Sequence, residues 1–208
     1  DLCETDDATN WRPRRLLAEQ ICKIAPLCSV LHLVETLCPL AISLALNDTV
    51  ASVRDTFYRT VAVLASHLLE NEDQGALFYK KIVASFQGSK KGVHRVGFVK
   101  VCFHIAACVS ETVFETYFLA PLLEMVNDPV AVVRVALARF LSQVMVGYVS
   151  NPASTNLEAA LAVLKVDADA DCQWFAALPY SGSSKDAIPM WNVRFDKGIG
   201  DERMALLD

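Results

Sequence analysis

The sequence predicts an all-α fold, a solenoid of stacked helix pairs, and three observations predict it. Two stretches nearly repeat, LALNDTVASVRDTFYRTVAVLASHL around Asp48 and Arg54 and LEMVNDPVAVVRVALARFLSQVM around Asp128 and Arg134. Each is an apolar helical run, Asn-Asp, a short turn, Val-Arg and a second apolar helical run. Arginines keep an even beat along the chain, at Arg14, Arg54, Arg95 and Arg134. Apolar residues also recur at helical spacing, as at Leu17, Ile21 and Ile24. A period of about 40 residues with two helices per period is the mark of a HEAT-type solenoid. The expectation is about four repeats, the first and last incomplete, in residues 10–180. Such stacks present long surfaces that hold other proteins.

The elements follow in order. Residues 1–9 are an acidic lead-in. Asn10 is placed to cap a helix that Pro13 tolerates in its first turn, where a missing N–H costs nothing. The first helix of repeat one is expected from His32 to Leu46, bent at Pro39. Asn47 and Asp48 end it and cap a second helix from Ala51 to Leu69. Polar ENEDQG at 70–75 is expected to be a loop. Repeat two follows as Ala76 to Phe86, the turn QGSKKG, and His94 to Cys108. Repeat three is Glu111 to Val126, the turn NDPV, and Ala131 to Val146. GYVSNPAST is a loop by composition, TNLEAALAVLKV opens a fourth repeat, and DADADCQWFAAL is its shortened second helix.

Composition narrows the function. The chain carries 53% hydrophobic residues, which stacking explains because inner helices are covered on both sides. No run of about 18 apolar residues is seen, so no membrane span is expected. The start is acidic and lacks Met, so these first residues are not expected to be a signal peptide, and the chain is expected to be a piece of a longer protein. A net charge of −5 argues against nucleic acid as a partner. The seven cysteines are odd in number, lie mostly in apolar helical text and include no C-x-x-C. They are expected as free, buried thiols in a reducing compartment, cytoplasm or nucleus, with no metal and no cofactor.

Catalysis is not expected. None of His32, His67, His94 and His104 is followed by Glu, and no G-x-S-x-G, H-E-x-x-H or phosphate-loop motif occurs. His67 and His104 sit in apolar helical text and fit core or boundary positions.

From Ser181 the pattern stops. PYSGSSKDA is linker-like, and IPMWNVRFDKGIGDERMALLD is aromatic and aliphatic, then charged. Two readings of 181–208 stand. One is a tail that continues the parent chain. The other is a linear motif, native or fused, docked in a groove through Ile188, Met190, Trp191, Val193 and Phe195.

NWRPRRLLAEQI, NDTVASVRDTFYRTVAVL, YFLAPLLEMVNDPVAVVRVALARFL and LKVDADADCQWFAALP together resemble the HEAT-repeat regulatory subunits of protein phosphatase 4, relatives of the phosphatase 2A scaffold. The resemblance covers residues 10–180. It implies a non-catalytic subunit that binds a serine/threonine phosphatase catalytic subunit and recruits substrate or adaptor proteins through linear motifs. It also implies that the catalytic subunit sits on the ridge of intra-repeat turns. Carried onto this chain, that ridge is Trp11, Arg12, Asn47, Asp48, Lys90, Lys91, Asn127 and Asp128. Beside it stands a structural reading, in which the aspartates cap helices and Arg14, Arg54, Arg95 and Arg134 form a ladder between repeats. The alternative function is an adaptor whose groove captures a short peptide, with residues 186–208 as an internal example.

Overall fold

The computed structural model describes residues 10–144 and 154–178. The lead-in at 1–9, the segment 145–153 and the five tail anchors lie outside them. The described residues are all helical or turn, without a strand. In chain order they form α1 (Trp11–Ile24), α2 (Val30–Asn47), α3 (Ala51–His67), α4 (Glu72–Phe86), α5 (Gly92–Cys108), α6 (residues 111–124), α7 (Ala131–Val144), α8 (Ser154–Leu164) and α9 (Ala170–Ala177).

Helix starts follow from local chemistry. Ser29 Oγ accepts the His32 N–H at 3.3 Å, and Ser110 Oγ accepts the Val113 N–H at 3.3 Å. Each cap stabilises its helix by about 1 kcal/mol. Asn71 Oδ1 accepts the Gln74 N–H, so α4 begins at Glu72 rather than Ala76. The polar stretch expected as a loop is therefore a first helical turn. Glu72 and Asp73 suit that position because carboxylates are favoured at a helix N-terminus.

Pro39 does not simply bend α2. Residues Leu33–Leu37 widen into a π-turn just before it, and Glu115–Leu119 do the same before Pro121 in α6. A proline ring crowds the carbonyl four residues back, and the wider turn moves that carbonyl aside. The widened α2 runs unbroken for 18 residues at mean hydropathy 1.6, which by length and composition is enough to cross a bilayer. This corrects the expectation that no such segment exists. His32, Glu35 and Pro39 interrupt the apolar run in the text without interrupting the helix.

The packing is serial. α1, α3, α5, α7 and α9 stack each on the next in one layer. α2, α4, α6 and α8 form a second layer, and α2 packs on α3 as α4 packs on α5. Contacts run chiefly between neighbours along the chain, which is the solenoid-like arrangement. Phe57, Phe86, Phe98, Phe114 and Phe118 fill the space between the layers with less than 2% of their surface exposed. Tyr58 meets Phe86 edge-on at 6.0 Å. Gly97 lets α5 close on α3, since a Cβ there would stand 2.9 Å from the Tyr58 hydroxyl.

Candidate partner-binding ridge

Each pair of helices is joined by a turn, and the turns lie along one edge of the stack. After α2, Asp48 Oδ1 accepts the Val50 N–H at 2.9 Å. After α6, Asp128 Oδ1 accepts the Val130 N–H at 2.9 Å. After α8, Asp167 Oδ1 accepts the Asp169 N–H at 2.8 Å. These are turns closed by a side chain onto the backbone two positions ahead. They differ from the expected helix cap, because the residue at the cap position of α3 is Val50.

The same carboxylates receive arginines from the preceding pair. Arg14 donates to Asp48 through Nε at 2.6 Å and Nη2 at 3.1 Å. Arg95 donates to Asp128 at 2.6 and 2.9 Å, and Arg134 to Asp167 at 2.6 and 2.8 Å. The third nitrogen reaches back to its own turn: Arg95 Nη1 donates to Ser89 O at 2.9 Å, and Arg134 Nη1 to Asp128 O at 2.7 Å. One guanidinium thus stitches two successive turns, which its planar fork permits and a lysine could not reproduce.

These pairs are largely dry. The side chains of Arg14 and Asp48 are 5% and 2% exposed, and those of Arg95 and Asp128 are 12% and 5%. Burial pushes the Asp48 and Asp128 carboxyls upward. The Arg14 and Arg95 hydrogen bonds, the turn N–H groups and the guanidinium charges outweigh it and hold both below the usual carboxylate range. Asp167 is brought down to about 2, first by the Arg134 hydrogen bonds. Asp48 and Asp128 are therefore buried in the ladder, and the side chains beside them that meet solvent at least in part are Asn47, Thr49, Val50, Asn127, Pro129 and Val130.

Arg54 departs from the pattern. Its Nη1 donates to Asp48 O at 2.7 Å and Thr49 O at 3.1 Å, as its counterparts do. No carboxylate meets it among the described residues. The matching turn, between α4 and α5, has Ser89 in the aspartate's place. Ser89 Oγ accepts the Lys91 N–H at 3.2 Å and closes the turn, but it cannot form the ion pair. Lys90 and Lys91 are both exposed there.

At the N-terminal end Trp11 is half-buried, with the Arg12 guanidinium 4.9 Å and the Arg15 guanidinium 6.0 Å from its ring centroid. Arg12 is exposed. The ridge thus shows Arg12, Asn47, Lys90, Lys91 and Asn127 to solvent, with Trp11 partly so. Sequence reasoning missed Asp167 and Ser89. Both keep the aspartate beat, at 48, 89, 128 and 167; spacing the aspartates as the arginines were spaced would have found them.

The stacked layer α1, α3, α5, α7, α9 offers a second surface. A cleft of about 610 Å³ lies between α3, α5, α7 and α9, lined by Tyr58, Phe103, His104, Phe140 and Phe175. Lys100 pairs with Asp55 at 2.7 Å, and both line this cleft. Burial and the nearby Arg59 charge lower the His104 pKa to about 4, so its imidazole is neutral at pH 7. Among the described residues no cluster of three or more His, Cys, Asp or Glu could hold a metal. Cys38, Cys102, Cys108 and Cys172 are buried free thiols, and burial raises Cys38 to about 12.

No family model matches the chain. It is 32% identical over 195 residues to serine/threonine-protein phosphatase 4 regulatory subunit 1 of Rattus norvegicus, and equally to those of Mus musculus and Homo sapiens. The match takes in 88% of this chain and 20% of each relative. The chain is thus related to a segment of that regulatory subunit and spans about a fifth of its length.

Proposed function

We propose that this chain is a segment of a HEAT-repeat scaffold that regulates a serine/threonine phosphatase of the phosphatase 4 class. It binds the catalytic subunit, recruits substrates, or does both. Residues 10–180 are the repeat domain of about four repeats, and 181–208 a separate linker and tail. The chain performs no reaction itself. The observation that carries this reading is the relation over 195 residues to a protein named as a regulatory subunit. The serial stack and its ridge of turns support it, because that architecture supplies surface rather than chemistry. Buried free thiols suit a cytoplasmic or nuclear setting.

The ridge is the surface for the catalytic subunit. Its test is capture of the phosphatase 4 catalytic subunit by the full chain, beside a form carrying Lys90→Glu and Lys91→Glu. The reading expects capture by the first and much weaker capture by the second. Equal capture by both moves the contact off these turns.

A second reading rests on the cleft over Tyr58, Phe103, Phe140 and Phe175. Aromatic floors with nearby charges suit short peptides with buried aromatic anchors. In this reading a linear motif of a substrate, or residues 186–208, occupies it. Trp191→Ala with Phe195→Ala should then lower Tm, since a tethered ligand stabilises the native state. An unchanged Tm removes the tail as occupant.

A further inference from the structure

The ladder has one open rung, and its position defines a binding site. We propose that Arg54 and the turn 89–91 form a carboxylate-binding site, filled by an Asp or Glu side chain of the protein that docks on the ridge. The choice of the phosphatase catalytic subunit as that protein rests on the function proposed above.

Three other rungs show what this geometry accepts. Arg14, Arg95 and Arg134 each hold a carboxylate through Nε and Nη2 while Nη1 rests on their own turn or helix start. Arg54 makes the Nη1 contacts and has no carboxylate on its remaining nitrogens among the described residues. The Tyr58 hydroxyl is a hydrogen-bond partner of Arg54, but a neutral phenol carries no countercharge, and Asp48, whose carboxyl the Arg54 charge helps hold down, gives its oxygens to Arg14 and to its own turn. Ser89 Oγ takes over the turn-closing bond that Oδ1 makes elsewhere, and serine has no second oxygen to meet Nε.

Among these turns, this one is cationic. The residues following the aspartates elsewhere are Thr49 and Val50, Pro129 and Val130, and Ala168 and Asp169; here they are Lys90 and Lys91. From α5, His94 Nδ1 sits 2.9 Å from Ser89 Oγ. Burial, Lys91 and Arg54 hold its pKa down, against the Leu46 carbonyl at the end of α2, which raises it. Nearby acids are spoken for: Asp48 by Arg14, and Asp55 by Lys100. A half-buried guanidinium and a histidine therefore stand beside a turn that carries two exposed lysines, at the position where each neighbouring turn holds an acid.

The test uses the full chain with Ser89→Asp, Arg54→Lys and Arg54→Gln. Ser89→Asp should restore the internal pair and raise Tm by about 3 °C. Because the rung is then filled from within, it should weaken capture of the phosphatase 4 catalytic subunit at least about tenfold. Arg54→Lys keeps the charge but loses the fork, and should weaken capture as Arg54→Gln does. Capture unchanged by Ser89→Asp or by Arg54→Lys, yet lost with Lys90→Glu and Lys91→Glu, overturns the open rung while the ridge stands. If the unaltered chain captures no catalytic subunit, the ridge reading fails, and acetate decides the site. A saturable shift of the His94 imidazole resonances with sodium acetate, absent with sodium chloride and absent in Ser89→Asp, supports it. No saturable shift overturns it.

Discussion

The turn after α6 and the turn after α4 occupy the same place in successive helix pairs and are built from opposite charges. Asp128 receives Arg95 on two nitrogens and closes its turn on Val130. Ser89 closes the matching turn on Lys91, and while its carbonyl accepts from Arg95 Nη1, its side chain meets no arginine among the described residues. Both turns close by the same bond, so the ion pair is not what shapes the turn. It ties one pair of helices to the next. Where it is missing, the aromatic packing between layers, such as Tyr58 on Phe86, holds the pairs together.

The largest effect should come from breaking a filled rung. Asp128→Ala leaves Arg95 mostly buried beside an apolar side chain and should cost about 3 kcal/mol or more, read by urea unfolding. The same experiment on Ser89→Ala should cost less than about 1 kcal/mol, since only a turn bond is lost. Equal costs would erase the difference between the two turns.

Acid sharpens the comparison. Asp167 is held at about 2 in the folded chain, below its ordinary value of about 3.9. The folded state therefore binds fewer protons than the unfolded one in that interval. This contribution is complete above about pH 4 and is lost as pH falls toward about 2. Asp48 and Asp128 act in the same direction, and Ser89 does not titrate. Asp167→Asn should flatten the fall of Tm between about pH 4 and about pH 2.

A smaller effect is expected in the layer behind both turns. Gly97→Ala would place a Cβ 2.9 Å from the Tyr58 hydroxyl. Tyr58 is buried and cannot swing away, so the change should cost about 1–2 kcal/mol. A neutral outcome in urea unfolding would mean that α3 and α5 separate easily.

The smallest effect on stability belongs to the exposed lysines. Lys90→Glu with Lys91→Glu should change unfolding by less than about 0.5 kcal/mol, because neither ammonium pairs with a carboxylate among the described residues.

The sequence carried the serial plan well and the rungs poorly. Even spacing placed Arg14, Arg54, Arg95 and Arg134 at equivalent positions, because a stacked repeat must return each residue to the same edge. It could not say that Arg14 reaches forward to Asp48 in the next helix pair. That depends on how far one pair stands from the next. Asp167 was hidden among three aspartates in DADAD, and Ser89 among ordinary turn residues. α4 was started late because an acidic first turn has the composition of a loop. The π-turns before Pro39 and Pro121 were unreadable, since proline predicts a disturbance and packing decides its form. The aromatic cleft draws on α3, α5, α7 and α9, which lie far apart in the text.

The most direct measurement is capture of the phosphatase 4 catalytic subunit by the full chain, quantified beside Lys90→Glu with Lys91→Glu. The reading of the ridge as the catalytic subunit's surface predicts stoichiometric retention by the unaltered chain and loss in the charge-reversed form, with both equally folded by Tm. No retention by the unaltered chain would contradict it.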